Sequence, residues 1–313
     1  MEPTPSRSPV LSVVVPLYNE GGNLPELVLQ LDDALASLDD DWEMILVDDG
    51  SPDDTWEAIR KAAMGNRHIK GIRLSRNFGK EQALCAGLER AAGKAVVVMD
   101  GDLQHPPALI PEMVGLWRES NADIVEAVKE DRGDESLKNR LGSRLFYLIL
   151  NTLAGYNLKN GSDFKLLDRR VVEAWLSMGE RNLFFRGMVA WLGFERREVP
   201  FRVPNRIAGS SGFSIFRLIK LAVTAVTSFS SASLHIVTLV GGVFLLFAVV
   251  LGVQTLVNKL SGGAVSGFTT VILLQLIVGS MLMISLGIIG EYIARIFEEV
   301  KRRPRYLVRD ETD

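Results

Sequence analysis

The chain has 313 residues, a formal net charge of −3, one cysteine and three histidines. That length holds a sizeable core, and the near-balanced charge argues against a polyanionic partner such as nucleic acid. The lone Cys85 excludes a disulfide framework and a multi-cysteine metal site, and the scattered His68, His105 and His235 disfavour a histidine-ligated metal.

Residues 1–9 are polar and rich in proline and serine, and are expected to be disordered. They show no basic segment leading into a long apolar one, so no signal peptide is expected and the domain that follows is expected to stay in the cytoplasm. From there, apolar β-branched runs alternate with helical patterns. Strands are expected over Leu11 to Val15, Met44 to Val47, Ile69 to Leu74, Ala95 to Met99 and Asp123 to Val128. Asn23 with Glu26 has capping-box spacing, and Ser51-Pro52-Asp53-Asp54 resembles a second helix start. Further helices are expected over Glu81 to Ala92 and Pro107 to Ser120. This alternation predicts an α/β domain over residues 10–205 with a mostly parallel sheet. The first strand ends in Pro16-Leu17-Tyr18-Asn19-Glu20 without a GxGxxG loop, and no GxxxxGK[ST] occurs anywhere. Dinucleotide-binding and P-loop enzymes are thereby disfavoured.

The last third has a different composition. Within a juxtamembrane region, 206–235, Ile215, Leu218, Ile219, Ala222, Val223 and Val226 recur at helical spacing. Arg206, Arg217 and Lys220 flank that stripe, as in an interfacial amphipathic helix whose basic residues reach a lipid phosphate. An ordinary core helix with solvated basic residues is the alternative. Ile236 to Asn258 is free of charge over 23 residues and Leu260 to Gly290 over 31, each enough to cross a bilayer. Transmembrane helices are therefore expected at about 236–258 and 266–290, joined as a hairpin. Lys301, Arg302, Arg303 and Arg305, in a basic tail over 291–313, place its outer ends in the cytoplasm. Gly279 and Gly287 offer faces for packing between subunits.

Three strand ends carry the polar residues expected to do chemistry. The first offers Pro16, Tyr18, Asn19 and Glu20, the second Asp48, Asp49, Gly50 and Ser51, the third Asp100, Asp102 and Gln104. Oxygen ligands at alternating positions after a strand suit a hard divalent cation at the carboxyl edge of an open α/β sheet, where such sheets bind ligands.

Val15-Pro16-Leu17-Tyr18-Asn19-Glu20, Val47-Asp48-Asp49-Gly50-Ser51, Arg76-Asn77-Phe78-Gly79-Lys80 and Asp100-Gly101-Asp102-Leu103-Gln104-His105-Pro106-Pro107 resemble the inverting family-2 glycosyltransferases of GT-A fold. More narrowly, they resemble the polyprenyl-phosphate glycosyltransferases, which include dolichol-phosphate mannose synthases and bacterial undecaprenyl-phosphate glucosyl- and aminoarabinosyl-transferases. The likeness continues through Gly209 to Ser214, Gly290-Glu291-Tyr292 and Arg303-Pro304-Arg305-Tyr306. It implies transfer of one sugar, with inversion, from a nucleotide-sugar donor (UDP-glucose or another UDP-sugar) to undecaprenyl phosphate on the cytoplasmic face of the bacterial inner membrane. It implies that Pro16, Tyr18, Glu20, Asp48 and Asp100 bind the nucleotide, with Asp48 on the base. Asp100, Asp102 and Gln104 would hold Mg²⁺ or Mn²⁺ against the diphosphate. Lys129 and Arg140 match basic positions near the diphosphate or lipid phosphate, Lys129 standing where relatives often have arginine. Asp163 occupies the position of a catalytic base, with sugar positioning and capping of a helix starting near Phe164 as alternatives. A homo-oligomer, in particular a tetramer, is implied by the resemblance alone. Two other functions are weighed against this one. A processive polysaccharide synthase would carry a Gln-x-x-Arg-Trp motif and more spans. An inactive scaffold or flippase partner would not need the metal carboxylates.

Overall fold

Four parallel strands form the centre of an eight-stranded sheet. The computed structural model of the chain describes residues 9–129, 162–181, 183–201, 232–261 and 267–312. In chain order the first compact unit contains β1 (Leu11–Leu17), α1 (Leu24–Ala36), β2 (Trp42–Asp48), α2 (Thr55–Gly65), β3 (Ile69–Leu74), α3 (Lys80–Arg90) and β4 (Ala95–Val98). A 3-10 turn (Pro107–Leu109) leads into α4 (Ile110–Ser120) and β5 (Ile124–Lys129). β6 (Lys165–Asp168), α5 (Arg169–Ser177), α6 (Phe185–Trp191) and β7 (Arg196–Phe201) follow, and β8 (Val308–Glu311) ends the chain. The strand order is β7-β5-β6-β4-β1-β2-β3-β8, with β6 antiparallel to both neighbours and β8 antiparallel to β3.

The central strands read as unbroken apolar runs because both faces are covered. Val13, Val14 and Val15 of β1 and Val96 and Val97 of β4 have no exposed surface. α1 buries Leu24, Leu27, Leu31 and Leu35, one stripe at helical spacing. From β1 the order proceeds to β2 and β3 on one side and to β4 on the other, so the crevice between the β1 and β4 carboxyl ends is a topological switch point. β6 runs the other way, pairing Lys165 with Val98, so the residues just before it reach the same edge.

Several local expectations change. Phe164 does not approach a helix: Lys165–Asp168 is a strand, and α5 begins only after Asp168, whose carboxylate accepts from Arg170 N at 3.0 Å. The strand is hard to see in the sequence because Lys165 is buried in it, paired with Glu126. Asn23 makes no capping bond and instead donates to Glu20 Oε2 at 2.6 Å. Pro52 precedes α2 rather than opening it, and Asp53 accepts from the Thr55 hydroxyl at 2.6 Å. The Ser51 and Thr55 hydroxyls knit the loops after β1 and β2 together. Asn19 N donates to Ser51 Oγ and Glu20 N to Thr55 Oγ1, both at 3.0 Å.

The segment expected as a basic tail is ordered. Its end forms β8 on the outer side of β3, where Gly71 N donates to Thr312 Oγ1 at 2.7 Å and Thr312 N returns to Gly71 O at 2.9 Å. β8 covers an otherwise open sheet edge. The second unit holds α7 (Ala232–Leu260) and α8 (Phe268–Val300), which touch each other. Both are long and apolar enough to cross a membrane, and Leu246 and Met283 are 68% and 70% exposed. α8 runs past the expected end at Gly290, and its last turns carry Glu291, Arg295, Glu298 and Glu299.

Candidate active site at the carboxyl edge of the sheet

The three polar strand ends converge at the switch point. A cavity of about 330 Å³ is lined by Pro16, Tyr18, Glu20, Asp100 and Asp102 from the predicted set. Asp49, Asn77, Gly79 and Lys80 line it as well. Gly101 lies where the β4 loop passes β1, and a Cβ there would stand 2.3 Å from Leu17 Cδ2, so the buried leucine would have to shift. Gly50, at φ +67°, sits where a Cβ would lie 2.3 Å from the Arg76 backbone. These glycines let the β2 and β4 loops approach their neighbours closely.

Asp48 is not among the lining residues. It is fully buried, with Oδ1 accepting from Ser51 N at 2.8 Å and Oδ2 standing 3.4 Å from Arg73 Nε without a hydrogen bond. Burial raises its pKa against the opposing pull of Ser51 and Arg73. Asp49 is the residue of this pair that faces the cavity, and it accepts from Phe78 N at 2.8 Å and Gly79 N at 2.9 Å.

The β4 loop is held from within. Asp102 Oδ1 accepts from Gln104 N at 3.1 Å, and Leu103 adopts φ +59°. His105 accepts from Asp100 N through Nδ1 at 3.1 Å and stacks on Phe164 with ring centroids 5.3 Å apart. The buried imidazole thus sets the loop that presents Asp100. Glu20 faces the same acids. Burial raises its pKa, and Asp102, Asp53 and Asp100 add to that while Asn23 opposes it.

Behind Asp100 lies a charge cluster that sequence reasoning only partly foresaw. Lys80 Nζ is 2.5 Å from Asp100 Oδ1 and 2.6 Å from Asp163 Oδ2. Arg186 grips Asp163 twice, through Nε at 2.5 Å and Nη2 at 3.0 Å. Burial alone would push the Asp163 carboxyl up, but the Arg186 hydrogen bonds and charge, with Lys80, hold it well below the usual carboxylate range. A carboxyl so stabilised as an anion is a weak proton acceptor. Burial pulls Lys80 down, yet Asp100 and Asp163 together raise its pKa, so it remains a cation. Glu81, beside it, accepts from Phe185 N at 2.9 Å, and burial together with the Asp163 charge pushes it up to about 7. Lys80 belongs to the Arg76-to-Lys80 segment that carried the resemblance. Arg186 and Glu81 had no motif to mark them.

Lys129 ends β5, its backbone in register with Phe201 of β7. Arg140, Arg206, Arg217 and Lys220 lie outside the described residues. Asp100 and Asp102 bring hard oxygen donors, of the kind Mg²⁺ or Mn²⁺ prefers, to the cavity, and Gln104 is not among its lining residues. Among the described residues no group of three or more His, Cys, Asp or Glu side chains could hold an ion by itself.

The strand order, the switch-point cavity and the acidic loop after β4 define a GT-A glycosyltransferase. The sequence pattern described as glycosyl transferase family 2 matches residues 12–176, and the chain belongs to that family. It is 38% identical over 302 residues to an uncharacterized glycosyltransferase of Synechocystis sp., covering 96% of this chain and 95% of the relative. It is 34% identical to the bactoprenol glucosyl transferase of Shigella phage SfII, covering 96% of this chain and 97% of the other. A solved structure of glucosyl-3-phosphoglycerate synthase from Mycobacterium tuberculosis, in complex with Mn²⁺, UDP-glucose and phosphoglyceric acid, aligns with 70% of this chain and 79% of its own. There the identity is 22% and the TM-score 0.48.

Proposed function

We propose that the protein transfers a single hexose from a UDP-sugar, with inversion, to undecaprenyl phosphate at the cytoplasmic face of the bacterial inner membrane. The observation that carries this is the acidic pair Asp100 and Asp102 lining a switch-point cavity in a chain with two membrane-length apolar helices. Relatives matched over 96% of this chain and named for bactoprenol glucosyl transfer support a glucosyl group and a bactoprenol lipid. The donor's nucleoside end would lie along Pro16, Tyr18 and the β2 loop, and its diphosphate would lie toward Asp100 and Asp102. Asp100, Asp102 and Gln104 would hold the divalent ion. When bound, the ion neutralises charge on the departing diphosphate.

The attacking group is a phosphate monoester whose second pKa is near ~6, so it is already an anion at cytoplasmic pH. Its oxygen forms a bond to the anomeric carbon as the bond from that carbon to the diphosphate oxygen breaks, and UDP leaves with the electron pair. One displacement inverts the configuration. No proton has to be removed from the nucleophile, which fits a depressed Asp163 acting with Arg186 to position the sugar rather than as a base. Lys129 and Arg140 are assigned to the diphosphate or lipid phosphate by the resemblance, and Arg206, Arg217 and Lys220 to the lipid phosphate by their place beside the apolar stripe.

The test is a donor screen. Full-length protein in nanodiscs, with Mn²⁺ or Mg²⁺ and undecaprenyl phosphate, is offered radiolabelled nucleotide sugars one at a time. Label from one donor should enter the organic phase and be abolished by chelator. No lipid-borne label from any donor would overturn the proposal and leave an inactive scaffold in its place.

A further inference from the structure

Lys80 reaches across the cavity wall to two acids with different surroundings. Asp163 has a second cation, Arg186, bound through two of its nitrogens, so its charge remains compensated if the lysine moves away. Asp100 has a different balance. Its ion-pair partner among the described residues is Lys80, at 2.5 Å, and its backbone N–H donates to His105 Nδ1. The lysine is not placed there by a flexible loop. It is the first residue of α3, and the Gly79 and Phe78 amides before it are fixed by the buried Asp49 carboxylate. Gly79 stands at φ +104°, which sets the direction in which the helix starts.

An ammonium 2.5 Å from Asp100 Oδ1 occupies the region from which a divalent ion would bind that oxygen. Metal–oxygen bonds to Mg²⁺ are about 2.0–2.1 Å long, and a second cation at that range is repelled by the first. A donor diphosphate changes this balance, because it brings the negative charge that both cations need.

We propose that Lys80 is a resident counter-cation: it neutralises Asp100 while the cavity is empty and releases it to the metal only when the donor's diphosphate arrives. Metal and donor binding are then positively coupled, and Lys80, freed from Asp100 but still facing Asp163, turns its charge to the diphosphate. This inference rests on the metal and nucleotide roles proposed above and adds the order in which the site is filled. The coupling is reciprocal, so Mn²⁺ must tighten UDP by the same factor by which UDP tightens Mn²⁺.

The experiment measures Mn²⁺ binding by the electron paramagnetic resonance signal of the free ion, using the full chain in nanodiscs, with and without UDP. For the unaltered protein, UDP should tighten Mn²⁺ about tenfold or more. Lys80→Met should bind Mn²⁺ without UDP about tenfold more tightly than the unaltered protein, and its gain on adding UDP should fall to about threefold or less. Lys80→Arg keeps the charge at this position and should keep most of the coupling. It also provides the measurement if the methionine variant fails to fold. A structural role alone would lower Mn²⁺ affinity in Lys80→Met or leave it unchanged. Either result, with UDP-dependent Mn²⁺ binding intact in the unaltered protein, overturns the role of Lys80 and leaves the metal assignment standing. Absence of Mn²⁺ binding even with UDP overturns both.

Discussion

The sheet unit and the helix pair use the same apolar residues in opposite ways. In β1, Val13, Val14 and Val15 are wholly enclosed, whereas Leu246 of α7 and Met283 of α8 are about two-thirds exposed, at 68% and 70%. The sheet unit buries its apolar surface within itself and leaves acids at its edge. The helix pair displays such surface over lengths that match a bilayer, where lipid replaces water as the solvent. Chemistry and membrane attachment should therefore be separable, and the strongest test is a change that removes the first without the second. Asp102 lines the cavity, is exposed and contributes no core packing. Asp102→Ala should lower lipid-linked product formation by roughly 10²–10³-fold while the melting temperature and the fraction in carbonate-washed membranes stay unchanged. Simultaneous loss of membrane retention would break the separation.

The converse change is smaller in energy. Leu246→Arg places a charge near the middle of α7, which on insertion scales costs about 2.5–3.5 kcal/mol. Membrane retention should fall, whereas UDP affinity, measured by calorimetry on detergent-solubilised protein, should not. A parallel loss of UDP binding would show that the two units depend on each other.

Within the sheet unit the contrast between Glu81 and Asp163 is sharper still, since neighbouring acids are shifted in opposite directions. Glu81 is pushed up to about 7 from an ordinary 4.5, chiefly by burial and then by the Asp163 charge. Because its folded value exceeds its unfolded one, the protonated form is favoured on folding. That stability is fully present below about pH 4.5 and disappears as pH rises through 7. Glu81→Gln keeps an oxygen to accept from Phe185 N but cannot ionise. It should be near neutral in thermal melts at pH 4.5 and stabilising by about 1–3 kcal/mol at pH 8. Equal effects at both values would mean that the carboxyl is already charged in the fold.

The central strands and the acidic strand ends were legible because both write their function into a short stretch of sequence. A run such as Val13-Val14-Val15 fits only a strand covered on both faces, and Asp100 and Asp102 follow such a run directly. Lys80 meets Asp163 across 83 residues of sequence, Arg186 meets it across 23, and Glu81 reaches the Phe185 amide across 104, and no local spacing encodes that. β6 was hidden for a related reason. Lys165 belongs in the core only because Glu126 lies opposite, and a lone lysine in an apolar run looks like a surface residue. The cap-like Asn23 misled because its side chain bonds Glu20 within its own loop instead of a helix amide, whereas Asp53 accepts from the Thr55 amide and hydroxyl at the start of its own helix.

β8 is the remaining case, and its effect is the smallest. Four residues of mixed charge after a basic cluster look like a solvated tail, yet the sheet's outer strand needs a partner. The buried Gly71 amide obtains one from the Thr312 hydroxyl at 2.7 Å, not from a backbone carbonyl. Thr312→Val keeps the shape and the Thr312 N to Gly71 O bond, but replaces the accepting hydroxyl with a methyl group beside a donor that is already enclosed. An unsatisfied buried amide costs about 1–3 kcal/mol, and partial access to water at this edge should keep the loss near ~1 kcal/mol. Thermal melting should therefore fall by a few degrees, and amide exchange at Gly71 should speed up while exchange in β1 does not. Acceleration that spreads to β1 would instead make β8 part of the cooperative core, and would tie the chain's last strand to the stability of the cavity itself.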